Sequence, residues 1–375
     1  MMLWRKLSMS IDDTFLKLIT QPKSFTNADF SNEHWQELLT LARANNLLAK
    51  FAFVVNAHME HIPQRVRNHL DSAARLASTH AQSVVHEIAE IYKVAKQVDI
   101  TILKGGAYLI HDLPNARGRM LSDLDVLVAK SKLKQLEINC LMNGWIRTES
   151  EEYNDRYYRQ WMHEIPPLTH LKRGTVVDIH HNILPLTNRQ CPNPEAFIFE
   201  DIQHPRLGAI RTLSKTDLFI HSATHLFSES EFHNGLRDLI DLFQMAEHFQ
   251  NENPNFINDT YKRSQALGLE TYVYLALMCI DECLPIANRD GLLRTKLTSP
   301  FSKTKEALLA KVFIIVFKPS AKIRPTVKYH IACFFLYCRG HGLRMPMRLL
   351  IPHLAKKSYM QLKDRWRNNT KEQMI

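Results

Sequence analysis

Two acidic residues interrupt an apolar run that otherwise has the alternating pattern of a β-strand. In "SDLDVLVA", Asp123 and Asp125 are separated by Leu124 and followed by three aliphatic residues. Successive side chains of a strand point to opposite faces, so both carboxylates should lie on the same face of the sheet. Carboxylates this close repel each other and resist burial unless cations neutralise them. The pair therefore predicts a site for Mg²⁺ or Mn²⁺, which prefer oxygen ligands.

Two further features would complete such a site. Gly105 and Gly106 end the β-type run "DITILKGG" and precede a predicted helix, where backbone N–H groups can approach phosphate oxygens. Asp178 lies in a second β-type run, "TVVDIHHNI", on the same face as His180, and is the candidate third acid from a neighbouring strand. Two metal ions about 4 Å apart could activate an attacking hydroxyl and stabilise a departing pyrophosphate. Each feature alone is ordinary, but their combination favours a metal–phosphate site.

Composition bounds the class of protein. A chain of 375 residues with 45% hydrophobic and 23% charged residues is typical of a soluble globular protein with two or three domains. The first residues lack the apolar region of a signal peptide, and no apolar run reaches the roughly 20 residues of a membrane span. The longest runs, "ALLAKVFIIVF" and "YHIACFFLYC", predict buried helices. Six cysteines without a CxxC pair predict reduced thiols in a cytoplasmic protein.

The net charge of +10 is concentrated at the C-terminus. From Lys318 onward there are 13 Lys and Arg residues against two acids, whereas the preceding 317 residues hold 35 basic and 36 acidic groups. This distribution argues against a nucleic-acid channel through the whole protein. The basic tail could contact an anionic membrane surface or nucleic acid, or it could be a final helix packed on the body with a solvated basic face.

The distribution of periodic patterns predicts an α+β fold with a small mixed sheet between helical regions. The expected parts are a helical region over residues 1–98, an α/β core over 99–205, a helical domain over 206–317 and a basic helical tail over 318–375. Within the core, "SKLKQLEINCLMNGW" predicts a helix that begins at a Ser131 cap and ends near Gly144. The segment "PPLTHLKRGTVVDIHHNI" predicts two strands joined by a turn at "KRGT".

The order of these elements resembles the nucleotidyltransferase superfamily, the fold class of DNA polymerase beta. In finer detail the chain is similar to a bacterial family of uncharacterised nucleotidyltransferase-like proteins, over about residues 80–250. The features that carry the resemblance are "LKG" at 103–105, Arg119, "SDLD" at 122–125, "GW" at 144–145, "VDIH" at 177–180, and His225 and Asp241 in the helical region that follows. Gly-Ser is common where this chain has Gly105-Gly106, and an aromatic residue is common at His181.

The resemblance implies a reaction and a set of site residues. The reaction would be Mg²⁺- or Mn²⁺-dependent transfer of a nucleoside monophosphate from an NTP to an unknown hydroxyl acceptor. Asp123, Asp125 and Asp178 would be the catalytic metal ligands, and Asp178 would act as, or assist, the general base. The residues that would bind the nucleotide are Lys104, Gly105, Gly106, Arg119 and Ser122.

Several alternatives remain open at the level of the sequence. Lys104 could be a solvated lysine at a strand end, Arg119 could pair with Asp123 or Asp125, and His180 could be structural. The histidines at 163, 170, 180, 181, 221 and 225 raise the question of a zinc site. Zinc is disfavoured because no pair has the HExxH form, and because His221 and His225, which could share a helix face, have no acidic partner in the sequence. The whole protein could instead be a non-catalytic binding module, antitoxin-like, regulatory or a scaffold, or an assembly factor at a membrane surface.

Overall fold

A helical region precedes the sheet, as the sequence predicts. The computed structural model describes residues 9–25, 30–147, 152–285, 293–294, 297–346, 348–349 and 351. The first helices are α1 (Ile11–Thr20), α2 (Asn32–Ala44), α3 (Leu48–His58) and α4 (Gln64–Ala95). Ser10 and Ser31 cap α1 and α2 by accepting hydrogen bonds from backbone N–H groups in the first turn. The long helix α4 packs against the sheet.

The sheet has seven strands in the described part of the chain, in the order β3-β4-β5-β2-β1-β7-β6. Its strands are β1 (Ile100–Ile102), β2 (Asp123–Val128), β3 (Trp145–Arg147), β4 (Leu168–His170), β5 (Val176–His180), β6 (Phe199–His204) and β7 (Gly208–Leu213). The helices between them are α5 (Lys104–Ile110), α6 (Leu133–Met142) and α7 (Glu152–Trp161). The pairs β2–β5 and β1–β7 are parallel and the others antiparallel, so the sheet is mixed.

The remaining described helices lie after the sheet. They are α8 (Lys215–Ser228), α9 (Gly235–Glu252), α10 (Phe256–Ala266), α11 (Glu270–Cys283), α12 (Lys303–Val316) and α13 (Val327–Arg344). Helix α8 contacts α9, α10 and α11 and is buried along nearly its whole length, so it is the centre of this helical region. The protein therefore has the α+β fold with helical flanks that its sequence predicts. Among the described residues, no helix combines the length and apolar content needed to span a bilayer.

Several local predictions differ from the structure. Ser131 does not cap α6, because residues 130–132 form a 3-10 turn and the N-cap position falls on Lys132. The strands β3, β6 and β7 and helix α7 were not predicted. The hairpin of β6 and β7 pairs His204 with Gly208, so the expected boundary at residue 205 falls within this hairpin. The sheet continues to Leu213 because β7 pairs with β1.

Helix α13 has two apolar faces, of which one is covered. Leu336 and Gly340 are buried on the covered face, where the Gly340 backbone closely approaches Ser230. The same face carries an ion pair between Arg344 and Glu229. On the other face the exposed apolar residues are Val327, Ile331, Phe334 and Phe335. The prediction of a buried helix is therefore wrong for α13, because periodicity reveals apolar faces but not which of them finds a partner.

Two glycines of α13 give a matched test of this packing. A Cβ on Gly340 would lie 2.7 Å from the carbonyl oxygen of Glu229, whereas a Cβ on Gly342 has no described heavy atom within 4 Å. We expect Gly340→Ala to lower the free energy of unfolding by about 1–3 kcal/mol through overpacking. Gly342→Ala should raise it by about 0.5–1 kcal/mol, because alanine favours the helix. Urea unfolding measures both, and equal effects of the two substitutions would contradict the close contact.

Candidate active site

The sheet register brings the predicted acids together. Strand β2 runs parallel to β5, with Asp125 directly beside Asp178 and Asp123 beside Val176. Because the side-chain period of a strand is two, all three carboxylates project from one face. The opposite face of β2 is apolar: Leu124 packs close to Gly106, which also lies near Ile88 of α4. The register places Asp178 on the strand next to Asp123 and Asp125, as the sequence predicts.

Asp125 is buried and is held by two basic side chains. Lys104 Nζ lies 2.7 Å from Asp125 Oδ1, and His180 Nε2 lies 2.9 Å from the same oxygen. Burial favours the neutral acid, but the charge of Lys104 and the contact with His180 outweigh it and hold the pKa of Asp125 well below its usual range. Lys104 is not a solvated lysine, and His180 is tied directly to the acid cluster.

Lys104 reaches Asp125 from an unusual backbone conformation. It is the first residue of α5, immediately after β1, and its φ is +46°, in the left-handed region that non-glycine residues rarely adopt. Such a conformation costs about 1–3 kcal/mol and persists only where the surroundings enforce it. Here the ion pair with Asp125 and the closely packed Gly105 and Gly106 hold the junction. The strand-to-helix turn therefore directs the ammonium group of Lys104 toward Asp125.

Asp178 has the opposite electrostatic environment. Its Oδ1 is buried and makes no hydrogen bond within the described residues. Burial, together with the charges of Asp125 and Glu164, raises the pKa of Asp178 to about 7. The face therefore carries more negative charge than Lys104 alone balances. Several carboxylate oxygens thus lie close together, and Asp178 Oδ1 has no described hydrogen-bond partner. Such a group of oxygen ligands fits a divalent cation.

The acids open onto a cavity of about 330 Å³ between the sheet and the start of α9. Six of the eight residues predicted for the site line it: Lys104, Gly105, Arg119, Ser122, Asp123 and Asp125. Asp178 does not line it but lies beside Asp125 on β5. Gly106 does not line it either, since a Cβ there would lie 2.8 Å from Ile102 and 3.1 Å from Leu124. Because Gly106 has no side chain, α5 can pack closely on β1 and β2.

Arg119 is positioned by the helical region rather than by the acids of the sheet. Its guanidinium lies 3.1 Å from Asp238 and also forms an ion pair with Asp241, both on α9. The alternative of an ion pair with Asp123 or Asp125 is therefore wrong. Asp241 is in turn 3.2 Å from Lys50 Nζ on α3, and burial together with the charge of Arg119 holds the pKa of Lys50 well below its usual range. Removing one partner from such a buried network typically costs about 3–5 kcal/mol, so Arg119 is firmly held at the cavity wall.

Sequence reasoning gave several groups no place beside the acids. His163, weighed only as a zinc ligand, and Glu164 lie beside His180, at 5.3 Å between the two histidine rings and 3.4 Å between Glu164 Oε2 and His180 Nδ1. Arg237 and Asp238 form an ion pair at the far wall of the cavity and lie in the helical segment that carries part of the family resemblance. For Glu164 the sequence signal is the dipeptide "HE" at 163–164, because its contact with His180 is long-range.

A mixed sheet with two acids on one strand and a third on its parallel neighbour, beside a glycine-rich strand-to-helix turn, is the arrangement expected of a nucleotidyltransferase-type core. A family model described as "Uncharacterised nucleotidyltransferase" matches residues 31–285. The chain belongs to this family of uncharacterised nucleotidyltransferases. The match includes the helices α2–α4 as well as the sheet and α8–α11. No curated protein and no solved structure matches the chain.

The raised pKa of Asp178 predicts how stability depends on pH. An unfolded aspartate has a pKa near 4, so between about pH 4 and 7 the folded state binds more protons than the unfolded state. The free energy of unfolding should therefore fall as pH rises through this window. Asp178→Asn removes the charge, and it should exceed the wild type in stability at pH 8 by at most about 4 kcal/mol.

Urea unfolding at pH 5, 6, 7 and 8 measures this difference, with chelator present to remove divalent cations. The advantage of Asp178→Asn should shrink toward pH 5. The matched control is Asp201→Asn on the exposed edge of β6, for which we expect little change at any pH. If the difference in the free energy of unfolding between the wild type and Asp178→Asn did not vary with pH, the raised pKa of Asp178 would be contradicted.

Proposed function

We propose that the protein transfers a nucleoside monophosphate from an NTP to a hydroxyl acceptor, with Mg²⁺ or Mn²⁺ held by Asp123, Asp125 and Asp178. The observation that carries the proposal is the convergence of three carboxylates on one sheet face, next to a cavity that also presents Lys104 and Arg119. Membership of the nucleotidyltransferase family supports the same reaction class. Bound Mg²⁺ would supply neutralisation of the phosphate charge and Lewis-acid activation.

The chain's own residues divide the remaining work. Arg119, fixed by Asp238 and Asp241, offers its guanidinium to the phosphates from the cavity wall. Gly105 leaves the start of α5 free of a side chain where the cavity meets the strand. Ser122 donates a hydrogen bond to Asp123 at 3.0 Å and orients that carboxylate. We further propose a cytoplasmic setting, with which the six free cysteines are compatible.

Asp178 is the proposed general base. Its Oδ1 is buried next to the acid cluster and has no described hydrogen-bond partner, so it is the carboxylate oxygen that can accept a proton. Asp125 is unsuited to that role, because Lys104 and His180 already occupy its Oδ1. The two neighbouring acids therefore have different tasks: Asp125 remains ionised, and Asp178 can take up the proton of the acceptor hydroxyl.

Calorimetric binding of the four NTPs tests the proposal. We expect at least one NTP to bind only in the presence of Mg²⁺, and Asp123→Asn to weaken that binding at least tenfold. Asp123 is the informative position because it is half-exposed and its only described side-chain hydrogen bond comes from Ser122. Its replacement should leave the fold intact, whereas Asp125→Asn would disturb a buried ion pair.

The control variant is Asp201→Asn, which removes an exposed aspartate of β6 outside the cavity and should bind as the wild type does. If no NTP binds with or without metal, the catalytic proposal fails, and a non-catalytic module with this fold becomes the better description. If an NTP binds equally well to Asp123→Asn, the cavity accepts nucleotides but the aspartates are not its metal ligands.

We also propose that the C-terminal region contacts an anionic membrane surface. The exposed face of α13 aligns Val327, Ile331, Phe334 and Phe335 at helical spacing. The sequence has no acidic residue from 307 to 363, while the same stretch contains 11 Lys and Arg. An exposed apolar stripe within an acid-free, basic segment complements the acyl boundary and the head groups of anionic lipids. Nucleic acid would use the basic charge but not the apolar stripe.

Co-sedimentation with vesicles tests this surface. The wild type should bind vesicles containing phosphatidylserine and not purely zwitterionic ones, and Ile331→Glu with Phe334→Glu should reduce binding at least tenfold. Both side chains are more than half exposed, so the fold should persist. Leu171→Glu, a similarly exposed apolar residue in the turn after β4, is the matched control. Failure to bind anionic vesicles, with salt-sensitive binding of single-stranded RNA instead, would identify nucleic acid as the partner.

A further inference from the structure

A group of three metal-ligand side chains lies beside the catalytic acids. His163, Glu164 and His180 each offer one ligand atom, and these atoms lie within 4.8 Å of one another. No other group of three His, Cys, Asp or Glu side chains reaches this separation within the described part of the chain. The described contact of His248 with Glu252, by comparison, is an isolated pair at the surface.

The backbone fixes the group before any ligand arrives. The segment that carries His163 and Glu164 lies antiparallel to the end of β5. It is held there by hydrogen bonds from the His181 N–H to the His163 carbonyl at 2.8 Å and from the Ile165 N–H to the Ile179 carbonyl at 3.0 Å. Ligands supplied by hydrogen-bonded backbone keep their spacing without the entropic cost of ordering a loop.

The separations match a small transition-metal ion. Glu164 Oε2 is 3.4 Å from His180 Nδ1 and 3.9 Å from His163 Nε2. Tetrahedral zinc, with bonds of about 2.0–2.2 Å, places neighbouring ligand atoms about 3.3–3.6 Å apart. One contact already has that separation, and the other would contract by a few tenths of an ångström. The two imidazole nitrogens, within 4.8 Å of each other, would also have to approach.

His180 has the hydrogen-bond arrangement of a metal ligand. The side chain is fully buried, and its Nε2 lies 2.9 Å from the ionised Asp125. Its Nδ1 lies 3.4 Å from Glu164 Oε2 and makes no hydrogen bond within the described residues. In a carboxylate–histidine–metal arrangement, one ring nitrogen contacts a carboxylate and the other binds the metal. A metal ion between Nδ1 and the Glu164 carboxylate would give this buried nitrogen a partner.

We propose that His163, Glu164 and His180 bind one first-row divalent transition-metal ion of the Zn²⁺ class. Two imidazole nitrogens and one carboxylate suit such an ion, whereas Mg²⁺ favours a shell of oxygen atoms. The site shares no ligand with the proposed Mg²⁺ site but is coupled to it, through the contact of His180 with Asp125 and through the charge of Glu164 near Asp178. Its ion would be a positioning device that holds His180, and through it Asp125. The proposal does not depend on nucleotidyl transfer.

Metal analysis of the full-length protein tests the site. After dialysis against chelator, the wild type should rebind one equivalent of Zn²⁺ that survives gel filtration and is not displaced by excess Mg²⁺. Co²⁺ should give the intense visible absorption of a low-coordinate site. We expect His163→Gln and Glu164→Gln each to weaken Zn²⁺ binding on the order of 100-fold. His248→Gln, in a surface histidine–glutamate pair, is the matched control and should bind as the wild type does.

The outcomes separate this proposal from the proposed reaction. Asp123→Asn should lose Mg²⁺-dependent nucleotide binding but retain the Zn²⁺ equivalent, whereas Glu164→Gln should lose the Zn²⁺ equivalent. Absence of a tight equivalent in the wild type, or its persistence in the double variant His163→Gln, Glu164→Gln, would overturn the site. If the double variant does not fold, X-ray absorption spectroscopy of the zinc-loaded wild type tests the site instead. A zinc coordination shell without imidazole ligands would also overturn the proposal.

Discussion

Repulsion among carboxylates on one face of the sheet is the constraint around which the centre of this protein is organised. Asp123, Asp125 and Asp178 project together from two parallel strands, and Glu164 adds a fourth negative group. Lys104 and His180 relieve Asp125 but leave Asp178 with an oxygen that has no described partner. Placing several carboxylates on one partly buried face disfavours folding, unless a bound cation offsets their repulsion. The cluster of carboxylates therefore lowers the stability of the metal-free protein and at the same time favours cation binding.

The cavity is built from parts far apart in sequence, and one ionic network joins them. Lys50 on α3 contacts Asp241 on α9. Asp241 and its neighbour on α9, Asp238, both form ion pairs with Arg119, which lies in the loop before β2. The family match begins before α3 and ends after α9, so it contains every member of this network. The flanking helices are therefore part of the site rather than accessories to the sheet. Helix α9 fixes the guanidinium of Arg119 at the cavity wall.

The sequence was sufficient for features governed by short periods. A period of two set Asp123 and Asp125 on one face, and a β-type run identified Asp178 as their neighbour. Features that depend on long-range placement were not accessible. The partners of Arg119 lie on α9, more than a hundred residues away, and Glu164 meets His180 only because its segment folds back along β5. The left-handed backbone at Lys104 has no signature in residue type.

Helix α13 connects an exposed apolar surface with the wall of the cavity. Its covered face contacts residues 229–230 through Gly340 and the Arg344–Glu229 ion pair, and the residues that follow, from Glu231 to Gly235, form one wall of the cavity. If binding at the exposed face of α13 displaced residues 229–230 and with them that wall, the affinity of the cavity for its occupant would change. Thermodynamic reciprocity would then require that the occupant change the affinity of α13 for the proposed membrane surface by the same factor.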